Sequence, residues 1–112
     1  MTECVILTNL RMKSAPLRRA EVVQALRALM RSARAEKGFI AGWLDFEPEE
    51  ANSIHYEERW QTREDFEDQL RSSRFTRLLA LMESASERPS LEFHFVTETR
   101  GLEYVAAVRG EE

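Results

Sequence analysis

Residues 38–70 read GFIAGWLDFEPEEANSIHYEERWQTREDFEDQL, and the way this stretch changes its period decides the fold. From Phe39 to Phe46 the side chains alternate as in a strand, with Phe39, Ala41, Trp43 and Asp45 on one face and Ile40, Gly42, Leu44 and Phe46 on the other. Both faces are largely apolar, so both should be covered. Gly42 marks either a bulge or a point where another group comes close to the backbone. Pro48 to Asn52 is a polar hairpin loop. Ser53 to Trp60 is a second alternating run, placing Ile54, Tyr56, Glu58 and Trp60 on one face and His55, Glu57 and Arg59 on the other. Thr62 ends it and caps a helix, with Asp65 three positions on and acids in the first turn that favour the helix dipole.

On the N-terminal side, Glu3 to Met12 opens with the apolar run Cys4-Val5-Ile6-Leu7 and then alternates, which reads as a central strand. Asn9 shares a face with Val5 and Leu7, either as a turn-former or as a ligand contact. Pro16 to about Glu36 is a helix with an apolar stripe of Val22, Val23, Leu26, Leu29, Met30 and Ala33, stopped by Gly38. Its opposite face carries Arg18, Arg19, Arg27, Arg31 and Arg34, either a solvated surface or a basic docking surface.

On the C-terminal side, Phe66 and Leu70 predict the next apolar helical position at 73 or 74, where the chain has Ser73 and Arg74. A new stripe begins at Phe75 and runs through Leu78, Leu79 and Met82, so a kink or short break is expected at Ser72-Ser73. Leu91 to Thr97 alternates Leu91, Phe93 and Phe95 against Glu92, His94 and Val96 as a further strand. Leu102 to Arg109, between Gly101 and Gly110, also alternates and is expected to be an extra strand on an edge of this sheet or of a partner's.

The order strand, helix, strand, strand, helix, strand is that of a ferredoxin-like α+β domain, an antiparallel sheet with two helices on one face. The expected organisation is one such domain over residues 1–100 and a C-terminal extension over 101–112 that touches a partner subunit. Strands apolar on both sides call for a symmetric partner on the open sheet face, hence a homodimer.

Composition narrows the function classes. The chain has 112 residues, is 43% hydrophobic and 32% charged, and carries a net charge of −4. That balance argues against nucleic acid as a partner, since phosphate contacts need concentrated Lys and Arg. No apolar run approaches the roughly 20 residues that span a bilayer, so no membrane association is expected. The start MTECVILTNL lacks the basic region and cleavage site of a secretory signal, and a cytoplasmic location is the expectation. The single cysteine, Cys4, forms no intramolecular disulfide and suits a buried packing role.

The motif GF-x(5)-D-F from Gly38, followed by EERWQTREDFEDQLRSSRF from Glu57 to Phe75, resembles the antibiotic biosynthesis monooxygenase family. The similarity runs from about Val5 to Thr97. It implies a dimeric α+β barrel, in which two ferredoxin-like subunits pack sheet to sheet and each holds a pocket between its sheet and helices. It also implies cofactor-free oxidation of a quinol- or polyketide-like aromatic molecule, with molecular oxygen as co-substrate. The alternative is a non-catalytic homodimeric module that binds an apolar aromatic ligand.

Such chemistry needs an aromatic pocket, a proton acceptor and donors for a developing oxyanion. Trp60 matches the family's strand-end tryptophan and is either a pocket residue or a core anchor. His94, between Phe93 and Phe95, is the candidate base, or a histidine packed on the sheet. Asn9, Tyr56, Phe66 and Trp43 complete the candidate substrate-binding set with Trp60. Tyr56 stands where related oxygenases can carry asparagine, and Phe66 where some carry tyrosine. Haem-degrading relatives pair a strand asparagine with a histidine on the second helix. Asn9 fits the first, but the ligand position falls near Leu79 and there is no histidine between Thr62 and Glu83, so haem is not expected.

Overall fold

A computed structural model describes residues 4–110. The chain runs β1 (Val5–Lys13), a 3-10 turn at Pro16–Arg18, α1 (Arg19–Ala33), β2 (Phe39–Glu47), β3 (Glu50–Trp60), α2 (Arg63–Leu70), α3 (Ser73–Glu83), β4 (Ser90–Val96) and α4 (Leu102–Arg109). The strands form one antiparallel sheet in the order β2-β3-β1-β4, the α+β ferredoxin-like arrangement expected from the order of elements.

Register and burial identify the covered face. Ile6, Thr8, Leu10 and Met12 of β1 lie opposite Trp60, Glu58, Tyr56 and Ile54 of β3, and all eight are buried. The α1 stripe of Val22, Val23, Leu26, Leu29, Met30 and Ala33 is buried as its spacing predicts, and all of it but Ala33 packs with Leu10, Met12, Ile54 and Tyr56 in the main core. A second cluster joins Ile6, Ala33, Trp60 and Phe66, with Cys4, Phe39, Leu70 and Phe93 packed against it. Cys4 is thus a partly buried packing residue.

Local chemistry explains the junctions. Thr62 accepts a hydrogen bond from the Asp65 N–H at 3.0 Å and so caps α2. The expected break falls at Arg71-Ser72, where Ser72 caps α3 and its hydroxyl accepts from the Phe75 N–H. Gly38 has φ +86 and lies against the Asp65 side chain, so a left-handed backbone and a close approach coincide there.

Three expectations need correction. The β2–β3 register shifts between Phe39 and Ala41 and again between Phe46 and Glu47, and through the first of these Phe39 leaves the face of Ala41 and Trp43 and packs edge-on to Trp60 at 5.4 Å. Of the two readings open for Gly42, close approach is the one that holds, since a Cβ there would stand 2.9 Å from Met30 Cγ. The ladder reaches Glu50, so the β2–β3 loop is shorter than Pro48 to Asn52.

The third correction concerns the expected extra strand, because Leu102–Arg109 is the helix α4. Alternation at Leu102, Tyr104, Ala106 and Val108 coexists with a helical repeat of Leu102, Val105 and Val108, and Ala106-Ala107 favours the helix. The Glu103 carboxylate accepts from the Gly101 N–H at 3.1 Å, and Gly110 ends the helix at φ +76. The N–H groups of Glu103 itself and of Gly101 hold that carboxyl below its ordinary value. None of the α4 residues is buried.

The extents are 55 × 34 × 22 Å and the radius of gyration is 16.7 Å. A compact domain of this length would have about 13 Å. No helix among the described residues is long and apolar enough to cross a membrane.

Candidate active site

Alternation along β3 aims Tyr56, Glu58 and Trp60 at the helices, which puts a carboxylate inside an apolar layer. An unpaired buried charge costs several kcal/mol, so Glu58 requires a counter-ion. Arg74 supplies it. Position 74 is the inward position that Phe66 and Leu70 predict, and the side chain there is 7% exposed. Arg74 Nη2 donates to Glu58 Oε2 at 2.8 Å and to the Leu29 carbonyl at 2.6 Å. Its Nη1 donates to Gln69 Oε1 at 2.8 Å and its Nε to Ser32 Oγ at 2.9 Å. One guanidinium therefore ties α1, the end of α2 and the start of α3 to β3, with each donor nitrogen occupied.

The other Glu58 contacts come from its own strand. Trp60 Nε1 donates to Glu58 Oε1 at 3.2 Å, and the Tyr56 hydroxyl donates to Glu58 Oε2. Burial, reinforced by the Glu58 charge, pushes the Tyr56 phenol far above its ordinary pKa, so it remains a donor at neutral pH. Both carboxylate oxygens are thus held between fixed donors.

Above this network lies an aromatic wall. Phe66 meets Phe93 at 5.2 Å and Phe95 at 5.8 Å between ring centroids, both edge to face. A cavity of about 20 Å³ remains between network and wall, lined by Thr8, Glu58, Trp60, Phe66, Arg74 and Phe75 among others. It is the size of a single water molecule, well below the roughly 300 Å³ of an ordinary small-molecule pocket.

The sequence-predicted site residues divide between two faces. Tyr56, Trp60 and Phe66 lie on the helix side, around this cavity or the network beneath it. Asn9, Trp43 and His94 lie on the open face. His94 pairs in register with Leu7, is 48% exposed and stands 3.9 Å from Glu92. Asn9 Oδ1 is 2.8 Å from His55 Nε2, while Trp43 stacks under the Arg59 guanidinium at 4.4 Å. His94 and Trp60 therefore do not share a cavity.

Glu58 and Arg74 escaped the sequence-level search, although both left a signal. Glu58 is a lone acid between Tyr56 and Trp60 on an inward face, and Arg74 is a cation at a predicted inward position. Among the described residues, no three His, Cys, Asp or Glu side chains gather as a metal site.

No protein-family model matches the chain, and no curated protein is similar to it in sequence. Solved structures do match. Rv0793 from Mycobacterium tuberculosis superposes with a TM-score of 0.74 at 15% identity, over 87% of this chain and 99% of its own. A conserved protein from Methanosarcina mazei gives 0.73 at 17% identity, over 81% and 91%. A structure described as an antibiotic biosynthesis monooxygenase gives 0.70 at 17% identity, over 83% and 99%. At these identities the likeness establishes a common fold.

Proposed function

We propose, from the fold this chain shares with an antibiotic biosynthesis monooxygenase, that it is a homodimeric, cofactor-independent oxidase or monooxygenase of a quinol- or polyketide-like aromatic molecule. The observation that carries the reading is the buried Glu58 carboxylate, set between Tyr56, Trp60 and Arg74 beneath an aromatic wall. In this reading Glu58 accepts the proton of an activated O–H or C–H bond. The electron-rich anion passes one electron to O₂, and recombination of the radical pair gives a peroxide. A CH₂ centre then becomes C=O with loss of one water, whereas a quinol becomes quinone and O₂ becomes H₂O₂. Trp60 Nε1 is engaged by Glu58, so the donor left to steady the anion is the second N–H of Arg74 Nη1, whose other N–H goes to Gln69. His94 belongs to the opposite face and has no step in this scheme.

In this reading the cavity widens between α2, which carries Phe66, and α3, which carries Phe75, and the break at Arg71-Ser72 is the joint between them. The dimer is proposed through the open sheet face, where Asn9, Trp43, His55 and His94 stand; Trp43 is 41% exposed there.

The alternative, a non-catalytic homodimeric module for an apolar aromatic ligand, is favoured by the small volume of the closed cavity. Aerobic incubation with a panel of naphthoquinols and anthrones, without added flavin or metal, separates the two. Oxygen consumption supports the enzyme, while saturable binding without turnover supports the module.

A further inference from the structure

Helix α4 is too short to persist alone, since isolated helices shorter than about 12 residues are marginal in water. It is nevertheless well formed, with the Glu103 cap, the Gly110 stop and Arg100 stacked on Tyr104 at 5.6 Å. Its apolar side chains have no cover. Leu102 is 83% exposed, Val108 68%, Tyr104 50% and Val105 47%. The elongated shape fits an arm rather than a helix folded onto its own domain.

A matching acceptor lies over the candidate cavity. β4 is an edge strand whose Phe95 remains 43% exposed, the Phe75–Phe93 contact joins α3 to it, and Leu79, one turn beyond Phe75 on α3, is 41% exposed. Phe66 and Phe75, which line the cavity, pack against Phe93 in this β4–α3 strip. At one end, the Arg63 guanidinium lies 4.7 Å over the Phe95 ring and has no carboxylate partner among the described residues. The arm sequence from 101 to 112 carries Glu103, Glu111 and Glu112 against Arg109, a net negative charge to set against the Arg63 cation of the acceptor.

We infer that α4 of one copy docks across the β4–α3 strip of a second copy and closes the mouth of that copy's cavity. Each chain offers one arm and one strip, so a two-fold pair satisfies both without remainder and does not propagate. The cavity is then completed by Leu102, Val105 and Val108 of the partner subunit. This rests on the proposed function only in treating that cavity as the substrate site.

The test is a cross-link between two differently tagged full-length chains, both carrying Cys4→Ser. One bears Val105→Cys and the other Leu79→Cys, and the mixture is equilibrated and mildly oxidised. A mixed disulfide between the two chains is expected, and its yield should fall at least tenfold when Leu102 and Val108 of the Val105→Cys chain are also changed to Ser, while the sheet-face dimer keeps its mass. A dimer that yields no mixed disulfide would overturn the inference, as would a mixed disulfide whose yield the two Ser substitutions leave unchanged, or a monomer. None of these readouts uses turnover, so the arm can fail while oxygen uptake succeeds, and the reverse.

Discussion

Replacing Arg74 by Met removes the counter-ion of Glu58 while filling similar volume. The guanidinium donates to Glu58, Gln69, Ser32 and the Leu29 carbonyl, and both members of the ion pair have only 9% of their side chains exposed. Stripping one partner from such a pair leaves an uncompensated charge and costs about 3–5 kcal/mol. With a urea m-value of roughly 1.5 kcal/mol per molar for a domain of this size, the unfolding midpoint should fall by about 2–3 M. Arg74→Met combined with Glu58→Gln removes both charges but keeps an acceptor for Tyr56 and Trp60. It should therefore recover on the order of 2 kcal/mol relative to Arg74→Met alone. Urea unfolding followed by tryptophan fluorescence in a Trp43→Phe background, where Trp60 is the sole emitter, measures both. A single-variant loss below about 1 kcal/mol, the scale of an exposed pair, would refute the buried-network account, as would a double variant no more stable than the single.

Tyr56 makes a pH prediction of definite sign. Its folded pKa is raised above the unfolded value of about 10, so its contribution to stability is complete below pH 10 and is lost as pH rises beyond it. Tyr56→Phe should flatten the alkaline limb of stability against pH by up to about 1.4 kcal/mol per unit, measured by denaturant titrations between pH 9 and 11. Gly38→Ala and Gly110→Ala impose similar backbone strain, at φ +86 and +76, but a Cβ at Gly38 meets the Asp65 side chain whereas one at Gly110 meets nothing within 4 Å. Thermal unfolding should show Gly110→Ala costing about 1 kcal/mol and Gly38→Ala clearly more. Equal losses would mean that the Asp65 contact is immaterial.

The sheet and its helices were legible because their signals are local. The α1 stripe, the period-2 runs of β2 and β3, the Thr62 cap and the break before Phe75 each name a face or an end. Gly42 left two readings open because a glycine can admit a neighbour as well as a bulge, and Met30 claims that space. α4 was misread because eight residues support periods of 2 and 3.6 at once when no burial decides between them. At the candidate site, strand parity already separated His94 from Phe93 and Phe95, yet chemical type drew it into one set with Trp60. The pairing of Glu58 with Arg74 spans 16 residues, and only the folded chain makes two charged side chains a neutral, buried unit.

The placement of proton transfer at Glu58, on the helix side of the sheet, is tested most directly by initial rates of oxygen uptake. The rates would be compared for the wild type, Glu58→Gln and His94→Ala on whichever quinol or anthrone turns over, with near-UV circular dichroism confirming the fold. The account predicts that Glu58→Gln lowers the rate by about 10²-fold or more, the usual contribution of a positioned base, while His94→Ala stays within about twofold of the wild type. The reverse order, with His94→Ala inactive and Glu58→Gln unimpaired, would contradict it.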